Sequence, residues 1–305
     1  MTANSTITAI DGLQVGHYSD FKAQTGCTVL LCPPQGCLAS GFVLGSAPGG
    51  REISLLQPEK SVDRIDAIVL SGGSAFGLEA AGGVMRYLKE QNRGFETPFG
   101  PMPIVPSAVI YDLPAGSSEV YPTAESGIIA AKAASTKPVE LGRVGVGSGA
   151  LVGKYLGFEH CSYGAIGSAV MNVGDAKVAA LVVTNAVGDI VDPDSGKIIA
   201  GSSRSNSNYN IDSLLAFAAT NTTLAIVATD AIITKAQAYA LSQTAHIGIA
   251  RVTRPSHTIY DGDTSFAIST QKIANVPLMA LSVAVQEVVA KAIIKGVKIA
   301  NNKLS

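Results

Sequence analysis

The chain has 305 residues, of which 47% are hydrophobic and 15% charged, enough to bury a large core in one domain. Lysine and arginine total 22 against 23 acidic residues, so a net charge of −1 excludes the basic footprint of a nucleic-acid or anionic-membrane partner. Thirty-two glycines and no tryptophan favour tight turns and close backbone contacts over a pocket walled by large rings.

Cys27, Cys32, Cys37 and Cys161 form no C-x-x-C pair and read as buried thiols rather than metal ligands. Met1 to Ala9 shows no basic start or long apolar core, and no stretch reaches the ~18 consecutive apolar residues of a membrane span. The expected location is therefore the cytoplasm.

In chain order, Asp11-Gly12 turns into a strand over 13–17, and 27–32 is a second strand ended by Pro33-Pro34, together a hairpin. Strands follow over 38–43 and 65–70, separated by a Gly/Pro-rich loop over 45–51. The second runs into Ser71-Gly72-Gly73-Ser74-Ala75-Phe76-Gly77 and a helix over 78–89. That turn fails the G-x-S-x-G elbow by one residue, because Phe76 stands where glycine is required. Its glycines either allow close helix-on-sheet packing or offer backbone N–H groups to a carbonyl oxygen.

A strand over 104–111 ends on Tyr111, and a helix spans 123–133. The glycine run from Val144 to Tyr155 tempts two nucleotide readings. The G-x-G-x-x-A match at Gly145, Gly147 and Ala150 lacks a following helix, and a P-loop would need glycine at Ser148 and a short hydroxyl residue at Tyr155. A strand over 178–184 delivers Asn185, whose amide can cap a turn or donate to an oxyanion, and 190–200 reads as a hairpin. A polar loop over 201–209 and a helix over 211–219 lead to Asn221-Thr222-Thr223.

The next run, Leu224 to Ala228, is short, apolar and partly β-branched, as in a strand covered on both faces. A threonine opening such a strand can satisfy local hydrogen bonds, or it can attack the carbonyl before it; if the ester hydrolyses, its freed α-amine becomes its own base. Thr234 and Gln237 form a capping box for a helix to about His246, with a strand over 248–251 after it. Asp261 and Asp263 share a side if extended, although Gly262 leaves a solvated turn open. A strand over 265–269 and a helix over 282–298 close the chain, with no repeat or linker.

The residues Asp11 to His17, Thr25 to Val29, Gly72 to Ala80, Ala108 to Asp112, Asn185, Asn221 to Thr223 and His257 to Asp263 together resemble one family. It is the self-processing DmpA-like aminopeptidase/amidase family (L-aminopeptidase/D-esterase type), which also contains the nylon-oligomer (6-aminohexanoate-oligomer) endohydrolases. The resemblance implies an α+β fold, a four-layer αββα sandwich of the N-terminal-nucleophile hydrolases with its own connectivity. It implies one domain, 1–305, cut autocatalytically into 1–221 and 222–305, with Asn221 giving the carbonyl and Thr222 the nucleophile. Lys154, Asn185, Tyr111, Asp261 and Asp263 fall where the family places groups around that nucleophile.

The function so implied is hydrolysis of peptide or ω-amino-acid amide bonds in a small substrate, without cofactor or metal, by a homo-oligomer, commonly a tetramer. Two departures stand out: Thr220 replaces glycine before Asn221, and the acidic pair is Asp/Asp where aminopeptidase members can have a serine and an acidic residue. The competing readings are a serine hydrolase using Ser74 and an unprocessed binding protein on the same scaffold.

Overall fold

A computed structural model describes residues 4–203 and 221–302. The elements are β1 (Gln14–Asp20), β2 (Thr25–Leu31), β3 (Cys37–Val43), β4 (Gly50–Arg51), β5 (Arg64–Ile65), β6 (Ala67–Ser71), α1 (Glu79–Glu90), β7 (Ser107–Val109) and α2 (Ala124–Lys132). There follow β8 (Leu151–Val152), β9 (Ser162–Tyr163), β10 (Ala165–Val173), β11 (Ala176–Asn185), β12 (Asp189–Val191) and β13 (Ile198–Ala200). The last are β14 (Thr222–Ala231), α3 (Lys235–Val252), β15 (Thr253–Arg254), β16 (Thr264–Ile273) and α4 (Leu278–Ala300).

Two sheets carry the architecture, one ordered β1-β2-β6-β7-β4 and the other β10-β11-β14-β16-β3-β5. Leu30, Ile68 and Leu70 of the first meet Leu181, Leu224, Ile226 and Phe266 of the second in a shared apolar core. Helices α1 and α2 cover the outer face of the first sheet through Val29, Val69, Val84 and Ala130, while α3 and α4 cover the second. The expected four-layer αββα sandwich is the fold found.

Strand β14 shows why its sequence reads as a buried run. Leu224, Ile226 and Ala228 point into the core between the sheets, and Ala225, Val227 and Ala231 point to α3 and α4. Side chains alternate across a strand, so the middle of β14, 224–228, buried on both faces, is apolar at every position, while its buried polar residues Thr222, Thr223, Thr229 and Asp230 lie toward the two ends. It pairs antiparallel with β11 and parallel with β16, which places it at the centre of its sheet.

Several expectations are corrected. The run 65–70 is two strands: Ile65 belongs to β5 and pairs with Cys37, while Ala67 opens β6 in the other sheet, so the chain crosses between sheets at Asp66. The strand expected over 104–111 is only Ser107–Val109. The strand expected over 248–251 is the last turn of α3, whose capping box at Thr234 and Gln237 forms as expected. Gly248 does not break that helix; a Cβ there would lie 2.8 Å from the Gln286 carbonyl oxygen, so glycine permits the approach of α4. Strand β10 is a further strand, one the sequence pattern does not show. The loop through Tyr209 and the helix over 211–219 fall largely or wholly within 204–220, outside the described residues.

Candidate active site

Thr222 opens β14 and is the register partner of Asn185, the last residue of β11. Asn221, just before it, forms a parallel bridge with Asp261. Both Asn221 and Thr222 are buried, and both line a cavity of about 260 Å³ with Ala47, Ser74, Tyr111 and Tyr260. A larger hollow of about 490 Å³ on β10 and α4, walled by Met171, Val173, Met279 and Val283, shares no residue with it and offers no hydroxyl, thiol or amine.

The Thr222 hydroxyl donates to the Asn221 carbonyl oxygen at 2.5 Å, and the Gly262 N–H donates to the same oxygen at 2.9 Å. A Cβ at Gly262 would come within 2.8 Å of Thr222 Oγ1 and of the Ala47 carbonyl oxygen, which explains the glycine between the two aspartates. Thr223 N–H donates to Asp263 Oδ1 at 2.5 Å. Asp263 Oδ2 lies 2.6 Å from His257 Nδ1, and Asp261 Oδ2 accepts the Thr258 N–H at 2.5 Å. The two aspartates are therefore buried and bonded, not the solvated turn that spacing alone left open.

Lys154 is fully buried, and its ammonium donates to the Asn185 backbone oxygen at 2.8 Å and to Asn185 Oδ1 at 3.2 Å. Asn185 Oδ1 also accepts the Leu151 N–H, and its amide nitrogen donates to the Tyr111 carbonyl at 3.1 Å. The asparagine thus holds the lysine and spends one of its two amide hydrogens on Tyr111. Thr222 and the five residues expected around it, Asn185, Lys154, Tyr111, Asp261 and Asp263, are brought together.

Burial dominates the electrostatics. Desolvation pulls the Lys154 ammonium down to about 7, although Cys161, Asp261, Asp263 and Asp112 all favour its charge. Desolvation and then the charge of Asp263 push Asp261 up to about 6, against the Thr258 hydrogen bond and Lys154. Asp112, which the sequence reading did not single out, is raised by desolvation while accepting the Gly73 N–H at 2.6 Å and the Thr25 hydroxyl at 2.7 Å. Its place directly after Tyr111 was the one available signal.

The glycine turn at 72–77 does not offer its first N–H groups to a ligand. Gly72 donates to the Gly26 carbonyl, Gly73 to Asp112 and Ser74 to the Ile110 carbonyl. Among the described residues the Ser74 hydroxyl bonds no histidine, lysine or carboxylate, so it lacks the adjacent base a serine nucleophile needs. The glycine run at 145–149 is buried, and a Cβ at Gly145 would strike Thr28 and the His17 ring, so packing accounts for it.

A family model described as peptidase family S58 matches residues 5–303. The chain belongs to peptidase family S58. An uncharacterized aminopeptidase of Mycobacterium leprae is 39% identical over 300 residues, covering 87% of this chain and 78% of that protein. A 6-aminohexanoate-oligomer endohydrolase of Kocuria sp. is 32% identical over 274 residues, covering 86% and 74%. Among solved structures, the L-aminopeptidase D-Ala-esterase/amidase of Ochrobactrum anthropi, titled a new variant of the Ntn-hydrolase fold, has TM-score 0.72 at 18% identity, over 98% of this chain and 88% of that one. The S58 chain is a hydrolase of peptide or amide bonds with the Ntn-hydrolase architecture, as the resemblance implied. No helix among the described residues is long and apolar enough to cross a membrane.

Proposed function

We propose that the protein is an autoprocessed threonine amidohydrolase, in which Thr222 cuts the chain after Asn221 and then hydrolyses small peptide or ω-amino-acid amides. The observation that carries this reading is the Thr222 hydroxyl seated 2.5 Å from the oxygen of the preceding carbonyl, which also takes the Gly262 N–H. In processing, Oγ1 adds to the Asn221 carbonyl carbon and its proton passes to a base. The developing oxyanion falls to the Gly262 N–H. The C–N bond breaks, the Thr222 nitrogen takes the proton, and water hydrolyses the ester to give 1–221 and 222–305.

Neutral Lys154, held on Asn185 opposite Thr222, is the base for that first step, since desolvation frees its lone pair above about pH 7. After cleavage the new α-amine, with an ordinary pKa of about 8, takes over as base and returns the proton to the leaving amine. Where Lys154 is charged, below about pH 7, its like charge lowers the pKa of that amine and so favours its neutral form. Asp261 and Asp263 anchor the start of β14, and Tyr111 lines the acyl cavity. The relatives' names support amide substrates ranging from aminoacyl groups to 6-aminohexanoate oligomers. The buried thiols Cys27, Cys32 and Cys37 suit a cytoplasmic setting, and a homo-oligomer, commonly a tetramer, remains the proposed assembly.

Turnover of an aminoacyl anilide and a 6-aminohexanoate oligomer tests the reading against the Ser74 alternative. Ser74→Ala is expected to keep activity within about tenfold of wild type, because its hydroxyl bonds no base among the described residues. An inactive Ser74→Ala protein beside an active Thr222→Ala protein would overturn the assignment.

A further inference from the structure

His257 sits beside the site in closely determined surroundings. It lies between α3 and the acidic pair, with its side chain 15% exposed and its backbone in the left-handed region at φ 55°. Its Nε2 sits 3.1 Å from the His246 carbonyl oxygen of α3. A carbonyl oxygen only accepts, so Nε2 carries a proton. Its Nδ1 sits 2.6 Å from Asp263 Oδ2, at the short end for a charge-assisted hydrogen bond, which runs about 2.7–2.9 Å. The other oxygen of Asp263 takes the N–H of Thr223, the residue after the nucleophile. An unbroken chain of hydrogen bonds therefore runs from the backbone of α3 through the imidazole and the carboxylate to the start of β14.

We infer that His257 is a positioning residue: its imidazolium, anchored on the His246 carbonyl, orients Asp263 so that the carboxylate fixes the Thr222–Thr223 backbone for attack. The inference rests on the Thr222 reading for its catalytic consequence, not for the geometry. A carboxylate without this partner can rotate, and a misplacement of about 1 Å at a reacting group costs on the order of 10²-fold.

The titratable groups facing the ring are Asp263 and Asp261 from its own loop and His246 from α3, whose ring meets it edge-on at 5.0 Å between centroids and which burial, lowering its pKa to about 4, keeps neutral. Lys154 acts on it through the same two aspartates. Burial lowers the His257 pKa, but the hydrogen bond and charge of Asp263 outweigh it and leave the group above its ordinary value. Its folded value being raised, the imidazolium is intact below about pH 6.5 and is lost as pH rises through the folded value. Loss of that proton sets an Nδ1 lone pair against the Asp263 carboxylate, so processing falls at alkaline pH.

The test compares His257→Gly and His257→Asn in the full-length chain. Glycine removes the ring and accepts the positive φ; asparagine also tolerates it and sets an amide N–H near the place of Nδ1, without charge. His257→Gly is expected to process ten- to a hundredfold more slowly than wild type. His257→Asn is expected to recover to within about fivefold and to lack the alkaline fall. Wild-type rates in the glycine variant, or an asparagine variant no faster than glycine, would overturn the inference.

A second readout does not depend on Thr222 chemistry. In the Thr222→Ala chain, ¹⁵N spectra of the His257 ring at pH 6, below the ordinary histidine value, should show protons on both nitrogens, with the Nδ1 proton shifted by Asp263→Asn. A ring with one proton, indifferent to Asp263→Asn, refutes the pairing. If the wild-type chain never processes while this signature is present, the Thr222 reading has failed and the His257 pairing has not.

Discussion

Replacing Thr222 by alanine is expected to leave the chain whole and to lower amide hydrolysis on the order of 10⁴-fold or more, while Thr222→Ser retains both activities in part. The size of the effect follows from the double use of one residue. In the uncut chain its hydroxyl lies against the carbonyl of Asn221; in the proposed cut form its hydroxyl and α-amine would be nucleophile and base in one residue. Serine keeps both groups and loses only the methyl that holds the rotamer of a β-branched side chain. The comparison is read from fragment yield and initial rates on the same anilide. Comparable turnover by Thr222→Ala would remove the residue from the reaction.

Lys154→Met carries the second large effect. Methionine fills a similar volume in the buried site but has no lone pair to take the Thr222 proton. Processing is expected to slow 10²- to 10⁴-fold, the span of a general base. In the wild type the processing rate should rise with a midpoint near pH 7 on its acid limb. Lys154 is protonated and useless as a base below that value, and becomes neutral above it. Asp261 ionises slightly earlier, near 6, so both groups shed protons before the rate reaches its maximum. A rate constant that stays flat from pH 5 to 8, or a Lys154→Met chain that processes normally, would contradict the assignment.

The elements with strong local signals were legible in the sequence. The β14 run shows its double burial in uninterrupted apolar residues, and Thr234 with Gln237 announces a helix start through hydrogen bonds that need no distant partner. Elements shaped by tertiary contact were not. Strand β10 contains Gly167, where a Cβ would lie 1.9 Å from the Ala292 carbonyl of α4, and this glycine dilutes the strand's pattern. Gly248 looked like a helix end because its reason, the approach of α4, lies more than thirty residues away.

The site divides in the same way. A hydroxyl residue opening a buried strand is visible locally, as is Asn185 at a strand end, but that Asn185 and Lys154 gather at Thr222 follows only from the family resemblance, because the β11–β14 pairing brings them there. Asp112, His257 and the Gly262 N–H were not assigned. Their roles rest on hydrogen bonds to Gly73, Asp263 and Asn221, which no spacing rule encodes.

The most direct measurement is the intact mass of the purified wild-type protein beside its Thr222→Ala variant. Two wild-type species with the masses of 1–221 and 222–305, the smaller beginning at Thr222, and a single full-length Thr222→Ala chain are the predicted result. A wild-type chain that stays whole after prolonged incubation at pH 8, yet hydrolyses amides, would contradict the account.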